Sequence, residues 1–315
     1  MTRAPESNPA ESPPRRRAVV YLYTQTGQLR EVAEALTAPL QAGGWDIRWV
    51  DVRPRDAFPF PWPIRRFFGV FAQAVDPDAL VELVEPKGGF ETAKDELVIL
   101  AYQVWYLAPS LPIRSLLKAH PEAVRERDVV SVIACRNMWY SAVVEVTGLL
   151  RSAGARRVDV VTATDTRRSS TTLVTTLRWL LTGKREPFLW FGRAGIGEDE
   201  LSRVKGVGRR VAASLPCPPD AAPVVPALAA ADLLAGRVFR RWARLVRSAK
   251  QAGSAAYAVT LIAFVLGLST AIVVGLPFIV FVALVGGTHF AAAVRGFVYR
   301  RISFGQPASD EVVFA

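Results

Sequence analysis

The sequence contains little cysteine, histidine or methionine, and this scarcity excludes several kinds of site. Among 315 residues there are two cysteines, two histidines and two methionines. Cys135 and Cys217 cannot form a disulfide framework or a Cys-x-x-Cys metal site, and so few thiols are typical of the cytoplasm. His120 and His289 are too few and too far apart to hold zinc. The sequence therefore predicts no metal centre.

The net charge of +11 is not accompanied by a nucleic-acid-binding motif. Zinc-finger spacing, the paired aromatics of RNA-binding sheets and a long basic arm are all absent from the sequence. A basic surface facing an anionic membrane explains the charge equally well, so we expect no nucleic-acid partner. Residues 1–17 lack the apolar core and cleavage site of a secretory signal, and we expect a disordered tail there.

Five short, β-branched apolar runs alternate with helical patterns. They are AVVYLY (18–23), WDIRWVDV (45–52), DELVILAY (95–102), DVVSVIAC (128–135) and RRVDVVTAT (156–164). Strands that are apolar on both faces and are separated by helices form parallel sheets covered on both sides. The pattern predicts an α/β fold over residues 18–214, with a flavodoxin-like five-stranded parallel sheet of order 2-1-3-4-5.

An aromatic insert, FPFPWPIRRFFGVF (58–71), separates the second and third runs. Aromatic residues occupy nearly every second position, and three prolines prevent a regular helix through its first half. Two interpretations stay open: a Pro-rich cap that packs over the edge of the sheet, or a lid that lines an apolar pocket.

The C-terminal part changes composition twice. Residues 215–235, rich in Pro and Ala, are predicted to be a linker, and 236–250 a basic amphipathic helix. Its cations are Arg237, Arg240, Arg241, Arg244, Arg247 and Lys250, and its apolar residues are Val238, Phe239, Trp242, Leu245 and Val246. This helix is predicted to lie on an anionic leaflet; the alternative is that it docks on the protein itself.

Residues 251–294 contain no Asp, Glu, Lys or Arg. A helix that crosses the membrane needs about 20 residues, so this run is too long for one upright crossing and barely enough for two. Gly275-Leu276-Pro277 interrupts it, and basic residues flank both ends. We expect a C-terminal membrane anchor over 251–295, a hairpin rather than one kinked span, followed by a tail at 296–315. The protein would then lie at the cytoplasmic face of the inner membrane.

The turn after the first strand carries the main functional signal. Its residues are Thr24, Gln25, Thr26, Gly27 and Gln28. A short turn from a buried strand into a helix directs backbone N–H groups and the positive end of the helix dipole at one point. The two threonine hydroxyls add donors, and the glycine lets an anion approach closely. No Lys follows the glycine, so the turn suits a phosphate monoester rather than a nucleoside triphosphate.

This turn resembles the phosphate loop of flavodoxins and FMN-dependent quinone reductases, although Leu29 stands where that family often has Thr or Ser. The resemblance implies that residues 24–28 bind the FMN phosphate. The stretch YQVWYLAPSLP (102–112) is similar to a flavin-reductase loop. By this resemblance, the residues beside the flavin ring would be Gln103, Val104, Trp105 and Tyr106. CRNMWYS (135–141) would add Arg136, Asn137 and Trp139. Alternatively, both tryptophans belong to the core.

Five strings together, YTQTGQL, FPFPWP, LAYQVWYLAPSLPI, CRNMW and RWLLTGK, resemble the bacterial dialkylresorcinol condensing enzymes over about residues 18–200. The resemblance implies a role in making dialkylresorcinols and flexirubins beside a ketosynthase-like partner. Condensation itself needs an activated Cys with nearby His and Asn or a second His, which this sequence does not offer. The expected reaction is therefore FMN-dependent oxidation of an alkylated, lipid-like 1,3-cyclohexanedione to a resorcinol.

Four side chains are candidates for that chemistry. Tyr102, Tyr106 and Tyr140 would act as acid–base groups, and Arg136 would stabilise the enolate. Two other functions stay open: an NAD(P)H-dependent quinone reductase, and a flavin-free scaffold for the ketosynthase. Flavodoxin-like reductases often pair, so a homodimer is possible.

Overall fold

The computed structural model describes residues 15–305, so most of the predicted N-terminal tail and the last part of the predicted C-terminal tail lie outside the described residues. The strands are β1 (Arg17–Leu22), β2 (Asp46–Asp51), β3 (Arg53–Pro54), β4 (Leu83–Val84), β5 (Glu96–Trp105), β6 (Ala108–Pro109), β7 (Asp128–Cys135) and β8 (Arg157–Thr164).

The helices alternate with the strands and then continue without them to the C-terminus. They are α1 (Gln28–Ala42), α2 (Ile64–Gly69), α3 (Phe71–Val75), α4 (Leu111–Ala119), α5 (Tyr140–Ser152), α6 (Ser169–Thr182), α7 (Glu198–Ala212), α8 (Pro226–Ala252), α9 (Ser254–Thr270) and α10 (Leu276–Ile302). A π-helical segment, Ala271–Gly275, joins α9 to α10.

The central sheet has the order β2-β1-β5-β7-β8, and all of its neighbouring strands are parallel. Helices α1 and α7 cover one face, and α4 and α5 cover the other, which is why the central strands are apolar on both faces. This is the predicted order 2-1-3-4-5, and the α/β flavodoxin-like fold is confirmed. The carboxyl ends of β1, β5, β7 and β8 lie along one edge of the sheet, where such folds bind ligands.

The aromatic insert forms a cap on the sheet. Phe58 and Trp62 pack against Trp105 at the end of β5, with ring centroids 4.8 and 5.7 Å apart. Helix α3 follows, and the buried Arg114 of α4 holds its C-terminal end by donating to the carbonyls of Ala74 (2.8 Å) and Asp76 (2.9 Å). The structure therefore supports the first of the two interpretations of the insert.

Helix α8 begins at Pro226, so the second half of the predicted linker is helical. Proline is favoured in the first turn of a helix, and the alanines that follow are strong helix formers. Part of the apolar face of α8 is buried by the protein itself: Phe239, Ala243 and Val246 pack with α3 and with Phe264 of α9, whereas Val238 and Leu245 are exposed. The prediction that the apolar face lies on a leaflet is wrong for Phe239 and Val246, which dock on the protein as in the alternative.

Both ends of the apolar segment are attached to the α/β domain. Phe264 of α9 stacks on Phe71 of α3 at 4.0 Å, and Val298 and Ile302 of α10 are buried in the core. Phe304 then forms an antiparallel bridge with Val158 of β8. The predicted tail at 296–315 is therefore wrong for residues 296–304, because these contacts are made across more than a hundred residues of chain and leave no local signal.

Between these attachments the chain is apolar and uncovered. By length and composition, one helix among the described residues, Val273–Ile302, could cross a membrane. The side chains that are 61–76% exposed are Val259, Ile262, Leu266, Val273, Val274, Phe278, Phe281, Leu284 and Val285. Gly287 interrupts the helix with φ 50° and ψ −131°. The segment leaves and rejoins the same domain, and its passage through a membrane as a hairpin stays a prediction.

Candidate functional site

The turn after β1 has the geometry of an anion site. Gly27 adopts φ 79°, a left-handed conformation that glycine accommodates without strain, and a Cβ there would meet no atom within 4 Å. Its N–H donates to the hydroxyl of Thr24 at 3.2 Å. No side chain caps α1, so the N–H groups of Gln28 and Leu29 have no partner within residues 15–305. These donors and the helix dipole converge on open space beside Gly27.

Gln25 fixes this turn to its neighbours rather than contributing its own N–H to an anion. That N–H donates to the side-chain oxygen of Gln103 at 3.2 Å. The Gln25 side-chain amide donates to the carbonyl of Pro59 in the cap, also at 3.2 Å. Two of the predicted residues are thus brought together, and the turn is held between the end of β5 and the cap.

Gln28 differs from the expectation in another way. Its side chain is buried, and with its amide oxygen turned inward it accepts from Arg185 (2.9 Å) and from the N–H of Ile196 (2.5 Å). Arg185 also pairs with Glu31, at 2.6 and 2.9 Å, and lies 4.9 Å from the centre of the Trp179 ring. Only the backbone of Gln28 is therefore available to an anion. The role of Arg185 could not be foreseen because its partners lie far away in sequence.

The loop after β5 is a closed hairpin. Val104 pairs with Pro109 and Trp105 with Ala108, and the two turn residues, Tyr106 and Leu107, have φ of 50° and 65°. The Tyr106 hydroxyl donates to the carbonyl of Phe67 at 2.5 Å. Burial raises the pKa of Tyr106, so its phenol stays protonated.

The two tryptophans predicted to lie beside the flavin ring are covered by other side chains. Trp105 is 9% exposed, and Tyr23, Phe58 and Trp62 meet it edge-on at 5.7, 4.8 and 5.7 Å. Trp139 is 1% exposed and stacks on Tyr140 at 4.1 Å. The alternative that both tryptophans belong to the core is what the structure shows. A ring bound at this edge therefore cannot lie between them in this conformation.

Tyr102 and Tyr140 are also parts of the core. Tyr102 is fully buried, and its hydroxyl accepts from Ser131 at 3.3 Å. The hydroxyl of Tyr140 accepts from the N–H of Val225 at 3.0 Å. Burial raises the pKa of both tyrosines and of the Cys135 thiol. The acid–base roles predicted for Tyr102 and Tyr140 are wrong, because both side chains are buried and their hydroxyls bond to Ser131 and Val225 inside the protein.

The remaining predicted site residues lie at the carboxyl edge of the sheet. Half-buried side chains at the ends of β1, β5 and β7 are Thr24, Thr26, Gln103, Val104, Arg136 and Asn137. The carbonyl of Arg136 accepts from the N–H of Asp165 at 3.0 Å, which ties the loop after β7 to the loop after β8. Burial lowers the pKa of Arg136, although its guanidinium stays charged at neutral pH. The part of the chain that the structure describes holds no cluster of side chains suited to a metal ion.

Helix α6 was not predicted from the sequence, and it packs against the aromatic cap. It follows the end of β8 and reaches the cap, where the backbone N–H of Trp62 donates to the carbonyl of Leu180 at 2.8 Å. Thr175 and Trp179 on its inner side are buried, whereas its outer side exposes Leu173, Val174 and Leu177. The helix therefore exposes three apolar side chains while burying a threonine, which the alternation of residues alone could not reveal.

These features test the fit of FMN. The turn supplies unpaired N–H groups, a threonine hydroxyl and an uncrowded glycine, which fit a phosphate monoester. Since both tryptophans are covered, the predicted residues left to contact the flat ring are Gln103, Val104 and Asn137. The donor set fits the cofactor, while the walls predicted for its ring do not.

Comparisons with known proteins match this chain to solved structures alone. No family model and no curated protein matches the chain. Among solved structures, it is similar to an archaeal flavodoxin (12% identity, 63% of this chain and 96% of the other, TM-score 0.33). It is also similar to a flavoprotein from Lactobacillus acidophilus in complex with FMN (14% identity, 47% of this chain and 91% of the other, TM-score 0.34). A third similar structure is an NAD(P)H:quinone oxidoreductase from Methanothermobacter marburgensis (12% identity, 62% of this chain and 98% of the other, TM-score 0.32). At these TM-scores the similarities assign neither ligand nor activity to this chain.

Proposed function

We propose that this protein binds FMN at the carboxyl edge of its sheet and catalyses a two-electron oxidation or reduction of an apolar, membrane-dissolved ring compound. The observation that carries the proposal is the turn at 24–28, whose helix N–H groups have no partner in the described chain and converge beside Gly27. The uncovered apolar helices α9 and α10 support attachment to a membrane, at its cytoplasmic face, where such a substrate would dissolve.

The first candidate reaction is the oxidation of an alkylated 1,3-cyclohexanedione to a resorcinol. FMN would supply the hydride acceptor for this chemistry when bound. Arg136 would hold the enolate oxygen as negative charge develops, because a half-buried guanidinium interacts strongly with an anion. Tyr106 would not act as a base, because its buried hydroxyl stays protonated and already donates to the carbonyl of Phe67.

The visible spectrum of the full chain, purified in a neutral detergent and mixed with FMN, tests the cofactor. We expect flavin bands and quenching of FMN fluorescence by the wild type, and much weaker binding by T26V, whereas T182V on exposed α6 serves as a matched control. If the chain stays colourless and ignores FMN, the redox proposal fails. A flavin-free scaffold for a ketosynthase then becomes the better proposal.

The reaction is tested separately, on FMN-loaded protein without oxygen. Bleaching of the flavin by an alkylated cyclohexanedione supports the oxidation, and bleaching by NADPH alone supports quinone reduction instead. We expect R136A to lower resorcinol formation about 100- to 1000-fold, the range for loss of one oxyanion donor, with unchanged FMN binding. Unchanged turnover would remove Arg136 from the mechanism. Chemical crosslinking would show whether the chain forms a homodimer or joins a ketosynthase.

A further inference from the structure

A groove of about 720 Å³ lies along α8, on the side of the helix that does not face the core. One wall carries Arg237, Arg240, Arg241, Arg244 and Arg247, and the other is the chain at 76–78, which follows α3. We refer to it as the arginine groove. The spacing of its cations by three and four residues puts them on one face of a helix, because these intervals match the 3.6-residue turn.

The positive charge of the arginine groove is not neutralised by the protein. Its two carboxylates already have cationic partners, since Asp76 pairs with Arg247 and Asp78 pairs with Lys118 at 3.2 Å. Arg237, Arg241 and Arg244 are exposed, and none forms an ion pair or side-chain hydrogen bond within the described residues. Three guanidinium groups, each with five N–H donors, are therefore available to an anion.

The arginine groove borders the uncovered apolar surface. Trp242, between two of its arginines, contacts Phe264 of α9 with ring centroids 5.8 Å apart, and a Cβ at Gly267 would lie 3.4 Å from the same indole. On α9, Ile262 and Leu266 are more than 60% exposed. Cationic side chains and an apolar surface thus meet along the line where α8 and α9 touch. A phospholipid has the same arrangement, with an anionic phosphate next to acyl chains.

We propose that the arginine groove binds the phosphate groups of anionic phospholipids, with the acyl chains lying against α9. Planar guanidinium groups are suited to phosphate because two parallel N–H donors can reach two of its oxygens. A single-stranded nucleic acid would also need rings on which its bases could stack, and the nearby indole of Trp242 is already used by Phe264. This proposal does not depend on flavin binding.

The test uses the full chain in a neutral detergent, titrated with a short-chain phosphatidylglycerol, and native mass spectrometry counts the bound lipid. The variant R237Q/R241Q/R244Q removes three cations that have no internal partner. The matched control, R125Q/K205Q/R209Q, removes three exposed cations elsewhere on the α/β domain. Each cation near an anionic lipid surface contributes roughly fivefold to binding, so we expect the triple variant to bind on the order of 100-fold more weakly.

Three comparisons decide between lipid and other anions. Phosphatidylcholine should bind the wild type much more weakly than phosphatidylglycerol, and the control variant should behave as the wild type. R237K/R241K/R244K, which keeps the charge, should retain part of the binding, and thermal unfolding checks that every variant is folded. Equal binding of both lipids, or an unaffected triple variant, would overturn the proposal. Displacement of the lipid by equimolar inorganic phosphate or glycerol phosphate would reassign the groove to a soluble anion.

Discussion

Replacing Asp232 with asparagine should remove a pH-dependent part of the stability of this protein. Asp232 lies on α8, is fully buried, and accepts hydrogen bonds from the N–H groups of Tyr140 (3.1 Å) and Ser141 (2.8 Å) at the start of α5. It therefore caps α5 from a different part of the chain. Burial raises the pKa of Asp232 to about 6, against the opposing effect of these hydrogen bonds and of Arg240.

The sign and size of the effect follow from the two pKa values. In the unfolded chain the carboxyl titrates near 3.9, so between about pH 4 and 6 the folded state binds a proton that the unfolded state releases. The free energy of unfolding must therefore rise as the pH falls through 6 and be lost as the pH rises again. From pH 7.5 to 5.0 the gain is about 1.4 kcal/mol. An asparagine at this position does not titrate, so D232N cannot show this gain in the free energy of unfolding.

The assay is urea unfolding of the full chain in neutral detergent at pH 7.5 and 5.0, followed by tryptophan fluorescence. On acidification the wild type should gain about 1.4 kcal/mol in free energy of unfolding relative to D232N. E198Q, a surface carboxyl in the first turn of α7, should leave the pH dependence unchanged. Identical pH dependence of wild type and D232N would show that Asp232 is not held in the buried, protonatable state described above.

Three substitutions test other parts of the fold and site, and G148A serves as their common control. A Cβ at position 148, on helix α5, meets no atom within 4 Å, so G148A should leave the stability unchanged or raise it. G27A, at φ 79°, should cost about 1 kcal/mol and weaken FMN binding at least tenfold, measured by flavin fluorescence; unchanged binding would move the phosphate away from this turn. R114A removes the buried partner of Glu145 (2.7 Å) and should cost about 3–5 kcal/mol in urea unfolding, and a loss below 1 kcal/mol would contradict the buried geometry. G208A drives a Cβ into a backbone carbonyl of α1 and should cost about 1–3 kcal/mol, whereas an unchanged midpoint would mean that α1 and α7 are not in close contact.

The sheet could be predicted from the sequence because its signal is local. Each strand is a short run of apolar residues, and all five predicted runs coincide with strands of the sheet to within a few residues. The turn at 24–28 was predictable for the same reason, since its glycine, threonines and following helix are consecutive. Local patterns of this kind determine backbone geometry directly, without reference to distant partners.

The environment of individual side chains could not be predicted in this way. The patterns around Trp105 and Trp139 suit either a ligand wall or a core residue, and the cap decides the first by placing Phe58 and Trp62 against it. The amphipathic pattern of α8 likewise shows that one face must be covered but not by what. Here Phe71 and Phe264, from distant segments, cover Phe239 of that face.

The attachment of α8 and α9 connects the apolar segment to the site. Asp232 of α8 caps α5, whose preceding loop carries Arg136 and Asn137 at the carboxyl edge of the sheet. On the opposite side, Phe71 contacts both Phe264 of α9 and Tyr106 at the tip of the hairpin after β5. The start of α5 and the hairpin after β5 are therefore both in contact with the helices that lead into the apolar segment. If that segment enters a membrane as proposed, its position relative to the bilayer also sets the orientation of the carboxyl edge of the sheet.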